Sequence, residues 1–287
     1  MAQGLAFKLS IAVLATAATL LGARPAQALV VPIDEFTVTR NGDVFFSDSF
    51  SDSLEPPVGP SGANNYGIVG AISNTAEAGG RLLIDSSTGF LTQNALGEGR
   101  RFLGVTLLTD TNSSNLGPGL KSDDTLSASG TFDLVTPGGP LFSGYGVRFH
   151  DSVVNQVVQL FVRHNSVTGQ AEVAYNQQDF VADTIDLLGS VALAPPVGAD
   201  QITLTLTRPD VASDAFFASF TYLAGGVSVG TGGFQTGGLM FQGEEFVRAQ
   251  FFTSEAIAVA IPEPETYALM MAGLGLLGLV ARRRKAR

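Results

Sequence analysis

Two histidines, 26 carboxylates and no cysteine bound the chemistry open to this chain of 287 residues. Without thiols there is no thiolate nucleophile, no thiolate metal site and no disulfide to brace a domain outside the cytoplasm. His150 stands before Asp151 and His164 after Arg163, and neither falls in a His-Glu-x-x-His or equivalent metal spacing. Serine is plentiful, and Gly226-Val227-Ser228-Val229-Gly230 has the Gly-x-Ser-x-Gly spacing, but no helix is expected after it and no partner is placed for a hydrolytic triad. Glycoside cleavage needs two carboxylates converging on one bond. Glu244-Glu245 and Asp123-Asp124 are adjacent pairs, and adjacent residues of a strand point to opposite faces. The glycine-rich stretches 225–238 and 70–80 lack Gly-Lys-Ser/Thr and any following helix, so they are expected to be loops between strands rather than phosphate cradles. The expectation is a protein that is not an enzyme.

Calcium is the one cofactor the residues invite. Asp43, Asp48 and Asp52 cluster around the first predicted hairpin, and surplus carboxylates suit a hard, oxygen-seeking cation, although no loop has an EF-hand pattern. Residues 29–260 hold nine Lys and Arg against 24 Asp and Glu, a net charge of −15 that the basic termini hide in the whole-chain value of −10. Nucleic acid and anionic membranes would repel such a body. Tryptophan is absent, which leaves Tyr66, Tyr145, Tyr175 and Tyr222 as the aromatic faces on which a sugar could stack.

The two ends carry processing chemistry. Lys8, the apolar run Leu9–Gly22 and the small residues of Ala26-Gln27-Ala28 make a secretory signal helix, with signal peptidase expected to cut before Leu29. At the other end Pro262-Glu263-Pro264 precedes an apolar run from Tyr267 to Ala281, then Arg282, Arg283, Arg284, Lys285 and Arg287. The run is about 22 Å long as a helix, short for a lasting transmembrane helix across a ~30 Å hydrocarbon core. The basic cluster would stop it on the cytoplasmic side, leaving the body in the periplasm. Both prolines disfavour helix in the residue before them, so this segment is expected to stand extended and open to a processing enzyme.

Residues 262–287, with the core Gly273-Leu274-Gly275-Leu276-Leu277-Gly278-Leu279, closely resemble the PEP-CTERM sorting signal of Gram-negative bacteria that make exopolysaccharide. The resemblance implies an exosortase as partner, a membrane-embedded enzyme similar to cysteine transpeptidases. It also implies transient anchoring in the inner membrane, cleavage near Pro-Glu-Pro, and passage of the body to the cell surface or extracellular matrix.

The body between these ends must present whatever functional surface there is, and its pattern is that of β-sheet. Gln201–Arg208 alternates Ile202, Leu204 and Leu206 with Thr203, Thr205 and Thr207. Gly130–Leu134, Gly146–His150, Val157–Val162, Ala171–Tyr175, Phe216–Tyr222 and Phe246–Phe252 read similarly. Asn41-Gly42 and Asn165–Gly169 signal hairpins, while Pro137–Pro140, Pro195-Pro196 and Gly225-Gly226 mark further turns. No internal window sustains an amphipathic helix of three turns. The reading is an all-β, two-sheet antiparallel sandwich of jelly-roll type over residues 29–260, between a signal peptide at 1–28 and the sorting signal at 261–287. Phe45–Phe50 with its Asp-Ser-Phe, and the order of the later strands, resemble the concanavalin A-like and laminin-G-like jelly roll, in which the opening strand returns beside the last. Two roles are carried forward: a structural or adhesive protein associated with exopolysaccharide, and a lectin-like glycan-binding module that uses calcium. A polysaccharide-active enzyme ranks behind both.

Overall fold

The computed structural model describes residues 29–257 except 55, 57–58, 60–64, 70–74, 89, 94–98, 109–118, 122, 139–142, 152–155, 166, 180, 183, 213–214 and 236–246. The expected signal helix and transmembrane helix lie outside the described residues.

Alternating β-branched and aromatic residues make sixteen described strands. They are β1 (Val30–Arg40), β2 (Asp43–Asp48), β3 (Tyr66–Val69), β4 (Thr75–Glu77), β5 (Leu82–Asp85), β6 (Phe90–Gln93), β7 (Gly99–Leu107) and β8 (Leu126–Asp133). Then follow β9 (Gly144–Asp151), β10 (Gln156–Asn165), β11 (Gln170–Asp179), β12 (Thr184–Ala192), β13 (Gln201–Arg208), β14 (Phe217–Ala224), β15 (Val227–Gln235) and β16 (Val247–Ile257). The one helical turn among the described residues is a 3-10 turn at Ser86–Thr88. No helix of these residues is long and apolar enough to cross a membrane.

The strands form two antiparallel sheets. The first runs β15-β14-β13-β8-β1-β5-β4, with β2 also on β1; the second runs β12-β11-β10-β9-β16-β7-β3, with β6 also on β7. Inward residues of the two meet in one core. Ile33, Phe36 and Val38 of β1, Phe132 of β8 and Ile202, Leu204 and Leu206 of β13 are buried with Val147, Phe149, Leu160 and Phe251 of the second sheet. Phe36 meets Phe251 edge-on at 4.9 Å between ring centroids, and Phe132 meets Tyr145 at 5.3 Å. Such ring pairs add roughly 0.5–1.5 kcal/mol beyond the area they bury. The second sheet is buried on its other face as well: Phe102, Phe161, Ala174 and Phe252 cluster there, with the Arg148 guanidinium 4.3 Å from the Phe102 ring centroid. Beside them Arg163 and Glu172, register partners on β10 and β11, form a buried ion pair at 2.5 Å.

The turn chemistry sits where expected. Asn41 and Gly42 take φ of 53° and 88°, the positive pair a two-residue hairpin loop requires, and Asn41 Nδ2 donates to Asp124 at 2.7 Å. Two expectations are corrected. The glycine-rich stretch from 225 is a turn only at Gly225-Gly226; Val227–Gln235 is a full edge strand. Its glycines make room for neighbours, since a Cβ on Gly232 would lie 2.2 Å from the Phe220 ring. Likewise Thr75–Glu77, within 70–80, is strand β4. The opening hairpin and the last strand do come together, but across the core rather than side by side. Both edges of β16 are taken by β7 and β9, so β1 meets it through Phe36 and the segment after β2 through Phe50.

Candidate functional site

The sorting residues Pro262, Glu263 and Pro264, the basic residues Arg282, Arg283, Arg284, Lys285 and Arg287, and the signal-peptidase residues Ala26 and Ala28 lie outside the described residues. Leu29 is described, and it is already part of the fold: its side chain is buried, and its N–H and carbonyl both bond Ser86.

Of the three carboxylates expected to hold calcium, the fold joins two. Asp48 ends β2 and is 3% exposed; one oxygen accepts the Phe50 N–H at 2.9 Å and the other accepts the Tyr66 hydroxyl at 3.0 Å. Asp52 follows in a loop that bends through the positive φ of Phe50 and Ser53, and it caps the Leu54 N–H. Asp43 opposes Arg40 at the other end of β2, about 16 Å from Asp48 at the rise of an extended strand. Its place beside the pair is taken by Glu77 of β4. Burial first, then the charges of Asp52 and Asp48, raise the Glu77 carboxyl to about 7. Burial also raises Asp48, and burial with Asp48 beside it holds the Tyr66 phenol well above its usual range. Of these groups, Glu77 is the one that holds its proton up to near neutral pH. Among the described residues no group of three or more His, Asp or Glu is arranged to hold a metal ion.

Glu77 was not singled out in the sequence, and Tyr66 only as an aromatic face, because their association with Asp48 joins three separate strands. The histidines are separated by the register of one strand pair. His150 pairs with Val157 near one end of β10, and His164 lies seven residues further along that strand, about 23 Å at its rise. The tyrosines proposed as sugar platforms are all buried: Tyr66, Tyr145, Tyr175 and Tyr222 are at most 6% exposed.

The outward face of the first sheet has a different character. Residues alternating with the core positions of β8 and β13 pair their hydroxyls across the strands: Ser127 with Thr207, Ser129 with Thr205 and Thr131 with Thr203, at 3.1, 3.0 and 2.9 Å. Thr37 of β1 extends the field to Ser47 of β2 at 3.0 Å, and Ser219 and Thr221 carry it onto β14. On a protein this acidic, this sheet face bears mainly hydroxyls, with one carboxylate, Glu35, accepting from Thr37 Oγ1 at 2.8 Å.

The PEP-CTERM protein-sorting motif matches residues 260–285. No curated protein matches the chain, and no solved structure does.

Proposed function

We propose that the chain, which matches the PEP-CTERM protein-sorting motif at residues 260–285, is an exosortase substrate anchored transiently in the membrane and exported to the cell surface, and that its body acts there as a structural or adhesive component lying against exopolysaccharide. Contact is made by the hydroxyl field of β1, β8, β13 and β14, and this face is the observation that carries the reading. A strand presents a side chain to one face every second residue, so the hydroxyls recur at about 7 Å along each strand and 4.8 Å between strands. A regular, rigid surface of this kind suits many weak contacts to an extended polymer rather than one tight pocket. The burial of the four body tyrosines speaks against a lectin built on aromatic stacking.

The test is co-sedimentation of the mature protein with exopolysaccharide from the producing cells. Replacing Thr203, Thr205 and Thr207 together by valine keeps shape and strand propensity and breaks all three β8–β13 hydroxyl pairs. Binding is expected to fall several-fold while the melting temperature changes little. Equal binding by the triple variant, or binding that appears only with added calcium, defeats the proposal and favours the lectin-like alternative. Mass spectrometry of surface-exposed protein supplies the processing arm, in which Arg287 is expected to be missing.

A further inference from the structure

The point at which the chain enters the fold is tightly held. Leu29 is 8% exposed; its carbonyl accepts the Ser86 N–H at 3.1 Å, and its own N–H donates to Ser86 Oγ at 3.1 Å. Ser86 Oγ donates in turn to Glu255 Oε2 at 3.2 Å. Glu255 comes from β16 and is 2% exposed, and its second oxygen, Oε1, has no hydrogen-bond partner among the described residues. A carboxylate enclosed in this way, with one oxygen idle, calls for a cationic donor. Two charged groups from the surrounding elements act on it in opposite directions: Arg101, its register partner on β7, and Asp85 at the end of β5. Arg101 NH1 is engaged with the Ser87 carbonyl.

Taking the reading that signal peptidase cuts between Ala28 and Leu29, we propose that Glu255 and Ser86 are a built-in receptor for the α-ammonium group that this cut creates on Leu29. In the uncut chain the Leu29 nitrogen is an amide with a single proton, and that proton goes to Ser86 Oγ. Hydrolysis adds one water across the bond. Ala28 leaves with a carboxylate, and the Leu29 amine takes up a proton to become an ammonium with three N–H donors. One donor keeps the Ser86 bond, and another serves Glu255, whose carboxylate lies no more than two hydrogen-bond lengths from the nitrogen. Burial holds the Glu255 carboxyl above its ordinary value, with Ser86 and Arg101 pulling the other way, and a cation at Leu29 pulls in the same direction as Arg101. The fold thereby registers removal of its own signal peptide. One ion pair fastens the start of the first sheet, the turn after β5 and the last strand of the second sheet.

The experiment starts from the full chain, expressed with its export signals in cells that process it. Mass spectrometry identifies the first residue of the mature protein. Acylation by a succinimidyl ester at pH 7 is then mapped by peptide, with the exposed Lys121 as internal reference. The Leu29 amine is expected to react at least about tenfold more slowly than the same residue in an unstructured peptide, since raising its pKa by one unit does that much. E255Q is expected to restore the ordinary rate. So is a chain with one glycine inserted after Ala28, which moves the amine out of the pocket and decides the matter if E255Q fails to fold. A first residue other than Leu29 overturns the proposal through the cleavage reading. A Leu29 amine that reacts like the peptide, or stays slow in both variants, overturns the pairing and leaves the cleavage reading intact.

Discussion

Glu77 is the residue whose protonation matters most near neutral pH. Its carboxyl is raised to about 7 in the fold, by burial and by Asp52 and Asp48, and returns to about 4.3 when the chain unfolds. Between those values the folded state binds more protons than the unfolded one, so stability falls as pH rises. The contribution is full only below about pH 4 and is lost progressively as pH rises through 7. Asp48, also raised by burial, acts in the same sense. E77Q is permanently uncharged and is expected to be more stable than the parent at pH 8, by about 1–2 kcal/mol after allowance for solvent screening, with the difference closing by about pH 4. Thermal unfolding at the two pH values checks this; an equal gain at both would remove the charge argument.

At the scale of elements, β15 shows what the sequence leaves hidden. Its residues, Val-Ser-Val-Gly-Thr-Gly-Gly-Phe-Gln, contain three glycines and read as loop by propensity. What makes them a strand is tertiary: Gly232 lies opposite Phe220 of β14, and the ring occupies the space a side chain would need. G232V raises intrinsic strand propensity, yet it is expected to destabilise the protein by about 1–3 kcal/mol because the ring must move out of a packed site. Urea denaturation decides, since propensity and packing predict opposite signs. The same contrast explains what was legible elsewhere. Gln201–Arg208 sits in the middle of a sheet with one buried face, so its alternation printed directly as β13. The Asn41-Gly42 turn is local chemistry and was readable for that reason. The short strands β3 and β4 have too few residues to show a period. β12 is exposed along most of its length and shows little inward-outward contrast. Of the site, the hydroxyl face followed from the threonines of β13. The Asp48–Tyr66–Glu77 cluster and the Leu29–Ser86–Glu255 chain did not, because each is assembled by residues distant in sequence.

At the scale of the whole molecule, the order of strands ties folding to export. The last strand, β16, is central to its sheet and hydrogen-bonds both β7 and β9. It also supplies Val247, Ala249 and Phe251 to the core, with Phe251 against Phe36, Phe50 and Tyr66. Losing it would open two ladders and expose large side chains worth roughly 2 kcal/mol each, a loss comparable with the 5–15 kcal/mol that holds a typical domain together. The body therefore cannot finish folding until residue 257 is available to its sheet, and only four residues separate that position from Pro262. Completion of the core and presentation of the sorting motif become nearly one event. A chain ending at Ile257 is expected to melt cooperatively, at a temperature within a few degrees of the mature protein, and to be released rather than held at the membrane. A chain ending at Gln235 is expected to show no cooperative transition and to be digested rapidly by an added protease. Scanning calorimetry and limited proteolysis of the two exported forms test the argument. Cooperative melting of the chain that lacks β16 would show that the first sheet and the remaining strands are sufficient, and would separate folding from the arrival of the sorting signal.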